Sequence, residues 1–203
     1  ATFDYVVNMD VKWDFAMIQL NYVDWKHASR NNHAEYLYNE LAKRNIPVNI
    51  MEPLLGGRLS KMADHLVARL KQRRPNDSVA SWAFRFAGHH PGVLTVLSGM
   101  TYKEHLIDNL KTFSPHEPLT DEELEFLEET AQLYKQYPIV DCNDCKYCMP
   151  CPYGIDIPGI LSHFNKCINE DLMPVSSQDD NYRELRRAFL IGYDRSVPKL
   201  RQA

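Results

Sequence analysis

Three short apolar runs, set apart by helical patterns, most constrain what this chain can fold into. Residues 15–20 (Phe-Ala-Met-Ile-Gln-Leu), 47–51 (Pro-Val-Asn-Ile-Met) and 93–98 (Val-Leu-Thr-Val-Leu-Ser) have strand length and are largely apolar. Runs of this kind read as buried strands. Ala34, Leu37, Tyr38 and Leu41 recur at helical spacing over 33–44, behind Asn31 or Asn32 as an N-cap. Residues 61–72 and 78–88 read as two further helices, the second behind Asn76-Asp77-Ser78. Thr101-Tyr-Lys-Glu104 and Thr120-Asp-Glu-Glu123 have capping-box spacing, for helices reaching the neighbourhood of Lys111 and Tyr137. The order strand, helix, strand, helix, helix, strand, helix over 1–112 predicts an α/β fold of parallel strands and crossover helices, with the sheet covered on both faces. Three strands are not a complete sheet of that kind.

The style of the sequence changes near residues 113–120 or near Pro138, and we divide the chain into 1–115 and 116–203. The second part contains Cys142, Cys145, Cys148 and Cys151, followed by Pro152. Four soft thiolates at every third position on an irregular segment suit a thiophilic metal or an iron–sulfur cluster. The spacing has one residue fewer before the last Cys than the bacterial ferredoxin run C-x2-C-x2-C-x3-C-P. In two-cluster ferredoxins the fourth Cys serves the other cluster, which would require a second cysteine run; none stands in these residues. Zinc, disulfides and free thiols are the rival readings, but zinc knuckles are usually separated by a dozen residues or more and secreted disulfide frameworks disperse their cysteines. Cys167 shares a helical apolar face with Ile160, Leu161, Phe164 and Ile168 and reads as a buried structural thiol. Asp156 precedes Ile157-Pro158 at that helix start, and a last helix spans about 179–191.

Ligands of parallel α/β proteins sit at the C-terminal strand ends. Those ends are Gln19 to Tyr22, Met51 to Arg58, and Ser98 to Thr101. Glycines at two of them, Gly56-Gly57 and Gly99, allow close backbone approach, and the last leads into a helix N-terminus, where free N–H groups favour phosphate. The bland readings are a simple turn for the Gly pair, a hydrogen-bonded core residue for Gln19, and a local backbone partner for Asn109.

The combination resembles the aldo/keto reductase family. Phe15-Ala-Met-Ile-Gln-Leu-Asn-Tyr22, Ile50-Met-Glu-Pro-Leu-Leu-Gly-Gly-Arg-Leu59 and Leu97-Ser-Gly-Met-Thr101 with Asn109-Leu110 look like strands six, seven and eight of its (β/α)8 barrel. The run Cys142–Pro152 with Tyr153-Gly154-Ile155 resembles the ferredoxin-like tail of the bacterial iron–sulfur branch. The resemblance implies the C-terminal part of a TIM barrel, followed by a helical linker and a small, mostly helical, truncated ferredoxin-like domain. It implies an NADP or NAD cofactor. Gln19 would meet the nicotinamide carboxamide, Glu52 to Leu59 (with Leu54, Gly56 and Gly57) the pyrophosphate, Gly99, Met100 and Thr101 the adenosine phosphate end, and Asn109 the adenine. It also implies a 4Fe-4S cluster on Cys142, Cys145, Cys148 and Cys151, with two clusters in the parent. Met51 stands where an aromatic residue often stacks on nicotinamide, and neither Thr101 nor His105 supplies the Arg that commonly grips a 2′-phosphate.

The family's catalytic Asp, Tyr, Lys and His motifs have no match here, and Lys26, His27 and Tyr22 read as surface residues of a strand-end loop. A complete barrel takes about 250 residues, so the chain reads as cut at each end, without its catalytic half. The expected parent transfers hydride between a nicotinamide cofactor and a small-molecule carbonyl or alcohol. The rivals are a non-enzymatic electron-carrier or docking module that binds a cluster, and a structural zinc protein. A net charge of −4 argues against nucleic acid. No apolar run is long enough for a membrane span, and no signal peptide opens the chain. Clustered thiols suggest a reducing cytoplasm and leave a redox partner open. Open strand edges leave room for a homo-oligomer.

Overall fold

The computed structural model describes residues 2–28, 33–136, 139–140, 142, 144, 146–174, 176–178 and 180–196. It divides into two compact units, Ala1–Gln136 and Tyr137–Ala203. The first unit runs α1 (Thr2–Val7), β1 (Ala16–Gln19), α2 (Asp24–His27), α3 (Ala34–Lys43), β2 (Val48–Met51), α4 (Asp64–Arg73), α5 (Val79–His89), β3 (Val93–Val96), α6 (Lys103–Phe113) and α7 (Asp121–Gln136). The division drawn at 115/116 precedes α7. The first unit includes that helix because Arg74 pairs with Glu123 at 2.7 Å, Arg69 donates to Thr130 Oγ1 at 3.1 Å, and the Arg69 guanidinium lies 4.5 Å from the centre of the Phe126 ring.

The sheet has the order β1-β2-β3, with parallel pairing throughout. Ala16 pairs with Val48 and Gln19 with Met51. Val48 pairs with Val93 and Asn49 with Thr95, so Leu94 is an extra residue in β3. Ile18, Leu20, Val48 and Ile50 are buried, together with Leu41, Leu59, Leu66, Leu70, Trp82, Phe86 and Leu127. The described residues do not cover the opposite face as the apolar strands predicted. Met17 is 51% exposed, and Met51 and Leu97 are exposed as well, because the described helices bury the Ile18/Ile50 side.

Local signals account for most element ends. The Ser78 hydroxyl accepts from Ser81 N and starts α5. At α7 both halves of the capping box form: Thr120 Oγ1 accepts from Glu123 N, and Glu123 Oε2 accepts from Thr120 N. The box expected at Thr101–Glu104 does not form. Tyr102 is the N-cap of α6 without a side-chain bond, and the Thr101 N–H donates to His105 Nδ1 instead. His33 is the N-cap of α3, while Asn31 and Asn32 lie outside the described residues.

The second unit contains α8 (Ile157–Asn169) and α9 (Tyr182–Ser196). Asp156 caps α8 by accepting from Gly159 N at 3.1 Å, with Pro158 in the first turn. A Cβ at Gly159 would stand 2.3 Å from Asp156 Oδ2, so glycine is what allows this cap to close. The Asn165 side-chain amide makes two 2.8 Å bonds to the backbone of Val140, tying the cysteine-bearing segment to α8. Cys167 is 3% exposed, and burial, helped by the charge of Glu170, pushes its thiol pKa up. It is a core thiol, as its helical face predicted.

Candidate functional site

Parallel pairing places the C-terminal ends of all three strands at one edge of the sheet. Gln19 stands opposite Met51, and Leu97 N donates to Ile50 O at 2.9 Å, which sets Ser98 and Gly99 in the same row. From these ends the chain runs into α2, into the loop 52–60, and into α6.

The first end is a small polar network. Gln19 Nε2 donates to Asp24 Oδ2 at 2.9 Å, and Asn21 Nδ2 donates to the same oxygen at 3.0 Å. Asn21 Oδ1 accepts from the backbone N–H of Val23 and Asp24, closing the turn that leads into α2. Asn21 Nδ2 also reaches Glu52 O at 3.2 Å, which joins the first strand end to the second. Asn21 and Asp24 are buried, which a satisfied network permits. The Gln19 amide nitrogen is thereby committed to Asp24. Sequence reasoning named Gln19 and Asn21 but missed Asp24. The spacing Asn21-x-x-Asp24 is the signal that would have found it, as a polar pair closing a helix turn.

The second end is a left-handed loop. Glu52 (φ 54°), Leu55 (φ 51°), Gly56 (φ 67°) and Gly57 (φ 86°) all have positive φ. At Leu55 and Glu52 this conformation is held against a steric cost by the surrounding bonds. Leu55 N donates to Glu52 O at 3.0 Å, and Gly56 N donates to Glu52 Oε2 at 2.5 Å. A Cβ at Gly57 would meet nothing within 4 Å, so the backbone there faces open space. Pro53 and Leu55 are buried and Leu54 is half-buried.

The third end is more open. Gly99, Met100 and Thr101 are exposed, and the space a Cβ would take at Gly99 is empty. Asn109 Nδ2 donates to Ser98 Oγ at 2.9 Å, so its side chain ties α6 to this strand end rather than to local backbone.

Tyr22 is not the surface residue the sequence suggested. It is 1% exposed, its hydroxyl faces Met62 Sδ at 3.5 Å, and burial next to Tyr134 raises its pKa strongly. The aromatic ring draws it into the core, and a hydroxyl so placed cannot donate a proton to a substrate. His27 Nε2 lies 2.7 Å from Glu128 Oε1, a pairing that fastens α2 to α7.

The cysteine segment is separate from this row in sequence and belongs to the second unit. Cys142 and Cys151 are half-buried and Cys148 is exposed; all three are free thiols. Cys145 lies outside the described residues. Among the described residues, no group of three or more His, Cys, Asp or Glu side chains is arranged to hold a metal ion. Thiols are soft donors of the kind that thiophilic metals and iron–sulfur clusters both take.

Parallel strands backed by helices, with glycine-bearing loops at their C-terminal ends, define the class of α/β proteins that take ligands at strand ends. Within that class, the chain belongs to the aldo/keto reductase family, whose model matches residues 2–132. This is a family of oxidoreductases that generally use NAD(P)H, and the three strands are consistent with part of its TIM barrel. The cysteine run lies beyond the matched residues. No curated protein and no solved structure matches the chain. No helix among the described residues is long and apolar enough to cross a membrane.

Proposed function

We propose that this chain forms the dinucleotide-binding side of an aldo/keto reductase-type oxidoreductase, with an iron–sulfur segment following it. The observation that carries the reading is the row of strand ends at one sheet edge, Gln19, the loop 52–57 and Gly99, in a chain of that family. Gln19 orients the nicotinamide carboxamide through its side-chain amide, whose nitrogen is held by Asp24. Glu52, Leu54, Gly56 and Gly57 border the pyrophosphate, Gly99, Met100 and Thr101 meet the adenosine phosphate, and Asn109 lies toward the adenine. Met51, 39% exposed beside Gln19, offers a polarisable thioether to the nicotinamide ring in place of an aromatic face. Thr101 and His105 offer no guanidinium to a 2′-phosphate, so NADH should bind about as well as NADPH. When bound, the dinucleotide supplies hydride to a carbonyl carbon. No proton donor is assigned in this chain, since the Tyr22 hydroxyl is sealed in the core.

Calorimetry with NADPH and NADH tests the reading. Saturable binding that Gln19→Ala weakens about tenfold, the loss expected for one hydrogen-bonded contact, supports it. Absence of saturable binding of either overturns it.

Cys142, Cys145, Cys148 and Cys151 would hold a 4Fe-4S cluster, which supplies one-electron transfer to or from a redox partner. The support is the spacing of four thiols, three of them described and free of disulfides. Anaerobic purification with iron and sulfide analysis should find both elements. Zinc without sulfide would overturn this part alone.

A further inference from the structure

The loop after β2 already contains an anion. Four of its backbone amides, those of Leu55, Arg58, Leu59 and Ser60, donate to backbone carbonyls within residues 52–57. The amide of Gly56 differs: it donates to the Glu52 carboxylate at 2.5 Å. A carboxylate on a backbone N–H in a loop of positive φ is the arrangement such loops offer to phosphate oxygens. The geometry does not come from side-chain chance alone. Glu52 has φ 54°, and its carbonyl accepts from both Asn21 Nδ2 and Leu55 N, which fixes the backbone from which the side chain reaches Gly56. The side chain reaches Gly56 across only four residues, so its effective concentration at that amide is high.

We propose that Glu52 is an internal anion that competes with the diphosphate of the cofactor for the Gly56 amide and thereby sets dinucleotide affinity. The inference rests on the dinucleotide reading given above. A diphosphate oxygen and the Glu52 carboxylate cannot share one N–H, and two like charges side by side at a half-buried site repel. Binding therefore requires the carboxylate to swing out of the loop. A ligand without a diphosphate has no reason to displace it.

The test uses the full 203-residue chain and calorimetry with NADPH, ADP-ribose and nicotinamide riboside. Glu52→Gln keeps an acceptor for Gly56 and removes the charge. Glu52→Ala removes the acceptor as well. Both variants should bind NADPH and ADP-ribose about tenfold more tightly, the size of effect expected from removing one like charge at a half-buried site. Nicotinamide riboside, which lacks the diphosphate, should respond equally to all three proteins. If Glu52→Ala fails to fold, Glu52→Gln decides the matter alone. Wild-type binding that is unchanged or weakened in Glu52→Gln overturns the competition and leaves the dinucleotide reading standing. Failure of both wild type and Glu52→Gln to bind NADPH overturns the two together.

Discussion

His90 sits in a box of aromatic rings. It stacks on Trp25 with centroids 4.4 Å apart and packs against Tyr38 and Phe86, each at 5.0 Å. Its Nε2 is buried with no hydrogen-bond partner among the described residues. Burial, with a smaller contribution from His89, pushes its pKa down to about 4. The neutral ring is therefore the form that the fold accommodates. Above the unfolded value of 6.5 both states are neutral and the contribution to stability is complete. As pH falls from 6.5 toward 4 the unfolded chain takes up a proton that the native ring resists, and stability is lost. A shift of this size corresponds to a loss of about 3 kcal/mol once pH is below the folded value. Urea unfolding at pH 7.5, 5.5 and 4 should show the decline, and His90→Gln should be flatter over the same range. Equal slopes would show that other groups dominate. Nothing in the sequence marked His90, because a histidine after a helix gives no sign of which rings will surround it.

At the scale of elements, local chemistry explains what was legible. The strands at 15–20, 47–51 and 93–98 appear as Ala16–Gln19, Val48–Met51 and Val93–Val96. Their apolar β-branched content needs no tertiary help to be read. The two capping-box patterns divide. Thr120 and Glu123 exchange both bonds, whereas at 101–104 the His105 ring accepts the Thr101 N–H that Glu104 would take in a capping box. Pattern alone cannot rank a glutamate carboxylate against a nearby imidazole as the acceptor of that N–H. Thr120→Ala should therefore cost about 1 kcal/mol of stability, the usual value for an N-cap hydroxyl. Glu123→Ala should cost more, because its carboxylate also pairs with Arg74, the residue that ends α4, at 2.7 Å and is mostly buried. Thr101→Ala, exposed and without a cap bond, should stay within about 0.5 kcal/mol of wild type. Chemical denaturation of the three variants checks the ranking, and equal costs for the two threonines would contradict it.

Over the whole first unit, the sheet is what the sequence described least well. Parallel crossovers and largely apolar strands predicted a layer on each face, but the described helices fill only one. Adjacent residues of β1 show the asymmetry: Ile18 is 6% exposed and Met17 51%. The register extends this along the sheet, with Ile18 and Ile50 buried together and Met17 beside half-buried Asn49. An apolar run reports that its side chains avoid water, not which neighbour covers each of them. In the chain of 203 residues the two positions should therefore behave differently. Ile18→Ala empties a packed site and should cost about 2–4 kcal/mol. Met17→Lys places a charge on an open face and should change stability by less than about 0.5 kcal/mol. Unfolding of both variants, followed by sedimentation at the same concentrations, distinguishes the cases. A large penalty at Met17 together with a dimeric sedimentation coefficient for the wild type would mean that a second copy forms the missing layer. A large penalty in a monomer would mean that another part of this chain folds across the Met17 face.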